Sequence, residues 1–336
     1  SWIKYHRVPR DVRRALSDGY KIEAQIQATC PHLHPFFPKS YTEKLDVTKA
    51  AWRQLNKLLQ PVNERNPESI KTFLQSIASG KLGSLSKLSI PYIIPYLEYN
   101  SSTEKESQFI RTFAVRALGI TKNVEVVGPI LKAFPSKPQI VTIGNKLYDF
   151  RVIWIHTLGK LQDYRATPLL YYLLGNDSDA RVRSMAAYAI GWIGRSSVKV
   201  DQLVYSLNDS DKAVRTAAAT SLVKLVPRTG YTNIVVSMIK EERVDFTTEL
   251  ATSLGNACSW SVFSILVSKL LGQNRSEQTS ALVGLSALMD LQTIGPLEEL
   301  LARRNLSASV RERANILLKK LRNILSDRMN SIKCFY

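Results

Sequence analysis

Four arginines recur at equivalent positions of a repeated pattern, and they are the first candidates for chemistry in this chain of 336 residues. Each directly follows the first apolar residue of an amphipathic segment: Arg111, Arg151, Arg183 and Arg215. Packed helices lie about 10 Å apart, so such a row would present guanidinium groups to phosphates or carboxylates. The alternative is structural, with each arginine paired to an Asp of the link between helices, such as Asp177 or Asp209, or bound to link carbonyls.

A second candidate site consists of Tyr188, Trp192 and Arg195. The two aromatic residues lie outside the apolar positions of their helix and are four residues apart, so they share another face. A patch of this kind docks protein surfaces or stacks on nucleic-acid bases. Packing against the neighbouring repeat explains both rings equally well.

The N-terminal segment RVPRDVRR places four arginines within eight residues: Arg7, Arg10, Arg13 and Arg14. Functionally this is a basic arm for phosphates or carboxylates. The alternative is the solvated face of a first helix.

Residue combinations typical of enzymes are not evident in the sequence. It contains no glycine-rich phosphate loop, GxSxG, HExxH or CxxC motif. Cys30, His32 and His34 are potential metal ligands, but zinc takes four ligands at wider separations. His156 stands alone on a helix and is expected to be structural. We therefore expect a protein without catalytic activity, metal or cofactor.

Composition constrains the class of partner. Lys and Arg total 46 against 28 Asp and Glu, which gives a net charge of +18 and favours an acidic partner. Residues 1–60 carry eleven basic and five acidic residues, and residues 303–333 carry nine and two, so the charge is concentrated at the two ends. Three scattered cysteines imply no disulfide framework and favour a reducing, cytoplasmic location. No apolar run is long enough to span a membrane.

The elements that position these residues form a repeat. From Val182 to Ile193, apolar residues fall at offsets 0, 3, 4, 7, 8 and 11, which is one face of an α-helix. The face recurs with a spacing near 32 residues, at Ile110, Phe150, Val182, Val214, Phe246, Ser280 and Val310. Of the 42 positions in these columns, 35 hold an apolar residue or Gly. The exceptions are Thr121, Thr157, Ser221, Glu249, Ser253, Ser280 and Arg313, and the two charged ones predict looser packing in the last units.

Each period also contains a second helix, as in the segments PLLYYLL and DQLVYSL. Helix N-caps are predicted three residues before the aligned starts, at Ser107, Asp179, Asp211 and Ser307. One period is eight residues longer because of an insertion at 135–147. An inserted loop is a common route to a binding feature, and neutral padding is the favoured alternative.

Two consecutive units resemble HEAT repeats, most closely the short type also found in phycobilisome lyases. The matching stretches are TPLLYYLL, NDSDARVR and AAYAIGWIG, followed by DQLVYSLNDSDKAVRTAAATSL. The similarity covers residues 107–322 and fades after 245, where Thr247 and Ala281 replace the repeated Arg. The resemblance implies an α-solenoid whose second helices line a concave face, and such arrays bind other macromolecules without catalysing reactions.

The sequence therefore predicts an all-α, HEAT/ARM-type solenoid of about seven or more two-helix repeats. Residues 1–100 are expected to form a basic, irregular helical cap, and residues 101–336 the solenoid with a basic C-terminal helix. The predicted function is a scaffold that binds an acidic macromolecule, with a protein favoured, through its concave face. The alternatives are a nucleic-acid-binding protein related to DNA-repair glycosylases, and a bilin lyase or chromophore chaperone.

Overall fold

The computed structural model describes residues 57–58, 61–63, 66–79, 89–143, 145–194, 200–227 and 230–333. The chain divides into two compact units, Ser1–Leu161 (unit 1) and Gln162–Tyr336 (unit 2).

Unit 1 contains five helices and one β-hairpin among its described residues. They are α1 (Pro67–Ala78), α2 (Ile90–Ile93), α3 (Glu104–Ile120), α4 (Val127–Lys132), β1 (Ile140–Ile143), β2 (Lys146–Asp149) and α5 (Arg151–Leu161). Helix α3 packs against both α1 and α5. Short 3₁₀ segments follow α2 at Ile94–Glu98 and precede α4 at Val124–Val126.

Unit 2 is built from helices alone in its described part. They are α6 (Thr167–Asn176), α7 (Ala180–Ile193), α8 (Asp201–Ser206), α9 (Lys212–Leu225), α10 (Gly230–Lys240), α11 (Thr248–Gly255), α12 (Trp260–Leu271), α13 (Arg275–Leu288), α14 (Ile294–Ala302) and α15 (Ala308–Lys333). The odd-numbered helices from α3 to α15 are the seven predicted amphipathic helices, here called first helices, and the even-numbered helices from α4 to α14 are the second helices. The prediction of an all-α solenoid of helix pairs is confirmed.

Unit 2 has two layers of helices. The first helices contact one another in chain order from α7 through α9, α11 and α13 to α15. In the other layer, α6 contacts α8, and α12 contacts both α10 and α14. The predicted apolar columns form the core between the layers, since Val182, Ala186 and Ile190 on α7 are all 0% exposed. Burial of such a stripe, repeated in every unit, is what stabilises a stacked array.

Short polar side chains begin the first helices. The carboxylate of Asp179 accepts a hydrogen bond from the backbone N–H of Arg181, and Asp211 caps α9 in the same way through Ala213 N–H. These two predicted N-caps are confirmed. The predicted cap at Ser107 is wrong, because α3 begins one turn earlier and Thr103 accepts from the N–H of Glu106. Ser307 does precede α15, but its buried hydroxyl has no hydrogen-bond partner among the described residues.

Neighbouring first helices approach each other closely where a glycine faces a small residue. A Cβ added to Gly119 would lie 2.7 Å from Thr157 Cγ2, and one added to Gly191 would lie 2.4 Å from Ser221 Oγ. The Ser221 hydroxyl donates to the carbonyl oxygen of Ala187 on the preceding first helix at 2.8 Å. The polar exceptions at Thr157 and Ser221 are therefore buried contacts between repeats, since only small side chains fit there.

The two charged exceptions are not buried. Glu249 and Arg313 are both exposed, so the expectation that they occupy core positions is wrong. Glu249 lies in the first turn of α11, where a carboxylate interacts favourably with the helix dipole. This column lies at the edge of the buried stripe, since the equivalent residues Phe113, Ile153 and Met185 are themselves only half-buried.

The insertion in the longer period forms a β-hairpin. Strand β1 pairs antiparallel with β2 in the register Ile140–Asp149, Val141–Tyr148 and Thr142–Leu147. The hairpin leads directly into α5, so part of the insertion is β-structure and not an irregular loop.

Candidate functional site

Arg183 on α7 joins the links of two consecutive repeats. Its Nε and Nη2 donate to the two carboxylate oxygens of Asp209 at 2.9 and 2.8 Å, and its Nη1 donates to the carbonyl oxygen of Asp177 at 2.9 Å. Partial burial alone would raise the pKa of Asp209, but hydrogen bonds from Arg183 and from the Asp211 backbone hold that pKa below its ordinary value. This bidentate pair is the arrangement expected of the structural alternative.

Arg215 on α9 makes the equivalent contacts with carbonyl groups. Its Nη1 donates to the carbonyl oxygens of Asp209 and Ser210 at 2.8 and 2.9 Å, and its Nε donates to that of Arg243 at 2.8 Å. A guanidinium group thereby satisfies link carbonyls that no helix can pair.

The two arginines of unit 1 are also engaged within the chain. The Arg151 side chain is only 5% exposed and forms an ion pair with Asp149, with 2.6 Å between Nη2 and Oδ2. Arg111 donates from Nε to the carbonyl oxygen of Tyr99 at 2.7 Å and also bonds the Asn100 side chain. All four repeated arginines thus use their donors on their own chain, which favours the structural alternative over a basic ladder. Direct contact of these arginines with a partner stays a prediction.

Tyr188 and Trp192 lie one turn apart on α7 and stack, with ring centroids 6.2 Å apart and an angle of 17° between the planes. Both are half-buried. Burial raises the pKa of the Tyr188 hydroxyl, which also hydrogen-bonds to Thr220 and Thr247 on the following repeats. The stack therefore packs against the next repeat and leaves only part of each ring accessible.

Several predicted residues lie outside the described part of the chain. They are the basic arm of Arg7, Arg10, Arg13 and Arg14, the Cys30, His32 and His34 group, and Arg195.

Exposed aromatic side chains are found on the second-helix layer of unit 2. Tyr172 on α6 is 65% exposed and Tyr205 on the adjacent α8 is 77% exposed. Each follows a fully buried leucine by two residues, Leu170 and Leu203, so the two tyrosines occupy equivalent positions of consecutive repeats. Helices α6 and α8 are in direct contact, and a Cβ added to Gly175 on α6 would lie 2.9 Å from the Gln202 side chain on α8.

Two further aromatic residues of unit 2 are exposed to a similar degree. Tyr164, just before α6, is 63% exposed, and Trp260, the first residue of α12, is 70% exposed and stacks on Phe263 at 5.4 Å. Sequence reasoning missed Tyr205 and Trp260. For Tyr205 the usable signal was its position between two core residues, Leu203 and Leu207.

Groups that could support catalysis are sparse in the described residues. No group of three or more His, Cys, Asp or Glu side chains there is arranged to hold a metal ion. Desolvation and the cations Lys160 and Arg116 lower the pKa of His156 on α5, so its imidazole is neutral at pH 7.

No helix within the described ranges has the length and apolar character required to cross a lipid bilayer.

Comparison with known proteins gives a family match to part of the chain. A model of HEAT repeats matches residues 145–223. No curated protein sequence matches the chain.

Several solved structures are similar to it at low sequence identity. The complex of CpcE and CpcF of phycocyanin lyase from Nostoc sp. PCC7120 shares 18% identity, over 76% of this chain and 94% of that chain, with a TM-score of 0.46. The Escherichia coli protein YibA shares 17% identity, over 70% of this chain and 93% of that chain, with a TM-score of 0.38. An engineered protein shares 18% identity, over 79% and 76% of the two chains, with a TM-score of 0.41.

The family match covers helices α5 to α9 as a whole or in large part, and the same alternation of first and second helices continues to α15. Residues 145–223 are therefore similar to HEAT repeats, within a chain of the all-α, α-solenoid class.

Proposed function

We propose that this protein is a non-catalytic scaffold that binds an acidic protein partner through the second-helix layer of unit 2. The observation that carries the proposal is the set of aromatic side chains exposed there: Tyr164, Tyr172, Tyr205 and Trp260. The second helices are also the layer that the resemblance to HEAT repeats assigns to the concave, partner-facing side.

The exposure of the tyrosines separates a binding role from a folding role. A tyrosine that is 65% or 77% exposed contributes little to the core, whereas burial of its ring in an interface removes a large apolar area from water. Aromatic residues are enriched among the few side chains that dominate interface energetics. Tyr172 and Tyr205 on touching helices supply two such anchors side by side.

Charge supports an acidic partner. The last helix, α15, carries seven basic and two acidic residues within a chain of net charge +18. On its described surface, Lys319 and Lys320 are exposed beside Ile316, which is 62% exposed. A positive field of this kind accelerates association with an acidic surface, and the effect weakens as salt rises.

The experiment compares the wild-type protein with the double variant Tyr172→Ser/Tyr205→Ser. Proteins cross-linked to each in extracts of the source cells are quantified by mass spectrometry, and the recovered acidic partner is then purified and titrated by calorimetry. Loss of two interface aromatics is expected to weaken binding by at least tenfold, with unchanged circular dichroism. The control is Ile120→Ser, an exposed apolar residue on a first helix of unit 1, which should leave affinity within twofold. Equal affinity of the double variant and wild type would rule out this surface.

The two sequence-based alternatives are tested with the same preparation. Nucleic-acid binding predicts a mobility shift whose affinity falls steeply with salt, through release of counterions. A chromophore-handling role predicts a change in bilin absorbance on mixing. Either result, with no acidic protein recovered, would replace the scaffold proposal.

A further inference from the structure

The β-hairpin of unit 1 has an open backbone edge. Phe150 N–H donates to the carbonyl oxygen of Gln139 at 2.9 Å, which makes residues 139 and 150 a hydrogen-bonded pair. Hydrogen-bonded pairs alternate along an antiparallel ladder, so the backbone groups of Ile140 and Thr142 point away from β2. Among the described residues these groups have no backbone hydrogen-bond partner. The edge of β1 therefore offers two N–H and two C=O groups to an added strand.

The side chains next to this edge are apolar and unusually exposed. Ile140 and Leu147 are 51% and 58% exposed, and the pairing register puts them diagonally on one face of the hairpin with Thr142. Diagonal neighbours lie about 7–8 Å apart, within reach of one side chain on an added strand. Tyr148, on the opposite face, is 42% exposed. Both faces thus have an apolar contact for alternating side chains of an extended peptide.

The base of the hairpin is held rigidly. Asp149 accepts from the backbone N–H groups of Gln139 and Arg151 at 3.2 and 3.0 Å, in addition to its ion pair with the Arg151 guanidinium. Val141 is 3% exposed, and the ring of Phe150 packs edge-on against Phe109 with centroids 5.1 Å apart. A strand fixed in this way needs little ordering when it binds a peptide.

The charge around the hairpin identifies the kind of segment that fits. Residues 135–151, which contain the hairpin, carry three basic residues (Lys137, Lys146 and Arg151) and one acidic residue (Asp149). The Asp149–Arg151 pair neutralises one charge of each sign, which leaves two lysines and no carboxylate in this segment. An extended segment of alternating apolar and acidic residues matches both the exposed side chains and this field.

We propose that the hairpin is a second docking site, at which an extended acidic segment of a partner protein adds as a third strand along the β1 edge. The site lies in unit 1 and uses none of the aromatic residues of the second-helix layer of unit 2. Its test is therefore independent of the function proposed above.

The probe is a fluorescein-labelled peptide of alternating sequence, Glu-Val-Glu-Ile-Glu-Val-Glu, titrated with the full chain at low salt and followed by fluorescence anisotropy. Two variants at one position separate backbone from side chain. Thr142→Pro removes an outward N–H, a change that edge strands accommodate, and should weaken binding at least tenfold. Thr142→Val keeps the backbone donor and the β-branched shape, so it should bind within twofold of wild type.

A second arm leaves the protein unchanged, in case Thr142→Pro disturbs the hairpin. Two further probes are N-methylated at alternate residues, one at the odd and one at the even positions, so that each lacks the N–H donors along one edge. The probe whose lost donors face β1 should bind at least tenfold more weakly than the other. Lys in place of Glu in the probe should abolish binding, and Tyr172→Ser/Tyr205→Ser should leave it unchanged. The proposal would be overturned by absence of saturable binding, by equal affinity of the two methylated probes, or by equal affinity of the Lys and Glu probes.

Discussion

Substitution of Gly255 by alanine tests the packing of the first helices most directly. The added Cβ would lie 2.2 Å from the carbonyl oxygen of Gly284 and 2.9 Å from Ala287 Cβ. An ordinary carbon–oxygen contact is about 3.3 Å, so α11 and α13 would have to separate by about 1 Å. Since the obstructing atom belongs to the backbone, no side-chain rotation relieves the overlap.

The expected cost follows from two opposing effects. Overpacking of a close contact costs about 1–3 kcal/mol, and a backbone overlap of this size belongs at the upper end. Replacing Gly by Ala inside a helix returns about 1 kcal/mol through higher helix propensity. The net destabilisation should be about 2 kcal/mol, which lowers the melting temperature of a unit of this size by roughly 4–8 °C.

The assay is thermal unfolding followed by circular dichroism, together with amide hydrogen exchange in α11 and α13. Gly295→Ala is the matched control, because a Cβ at that helical position of unit 2 meets nothing within 4 Å. The control should be neutral or slightly stabilising. If Gly255→Ala raised the melting temperature as the control does, the two helices would not cross at the distance described, and the close-packing argument would fail.

Further predictions concern the charged groups. Arg183→Ala should destabilise the protein by about 2–4 kcal/mol, because the half-buried carboxylate of Asp209 loses a bidentate partner. Arg181→Ala breaks an ion pair whose arginine side chain is 51% exposed and should cost about 0–1 kcal/mol. Chemical denaturation measures both changes in the free energy of unfolding. NMR titration should show His156 with a pKa below the ordinary imidazole value of 6.5, and Arg116→Gln should move that pKa upward by removing a nearby cation. The imidazole is protonated at a higher pH in the unfolded chain than in the folded one, so His156 should lower the free energy of unfolding as pH falls through 6.5. If a His156→Gln variant had the same pH–stability profile as wild type, the lowered pKa of His156 would be contradicted.

Local sequence determined the repeat and its helices. Apolar spacing located all seven first helices, because a buried stripe requires residues three and four apart wherever a helix packs. Asp179 and Asp211 were recognisable as N-caps for an equally local reason, since the side chain bonds an N–H only two residues ahead. Several helix ends were not recognisable. Lys122, Gln162, Cys258 and Met289 take the left-handed conformation that glycine usually supplies after a helix.

Tertiary structure decided which side chains are available for binding. An Arg at a fixed repeat position can turn to solvent or to the link of its own chain, and only the distances from Arg183 and Arg215 to Asp209 show that the donors turn inward. The local pattern places Tyr205 off the core face of α8, but its 77% exposure is decided by what packs around that helix. The open edge of β1 exists only because the inserted residues pair with each other, a contact set by chain reversal and not by periodicity. Helix identity is a property of residues close in sequence, whereas exposure is a property of everything packed around them.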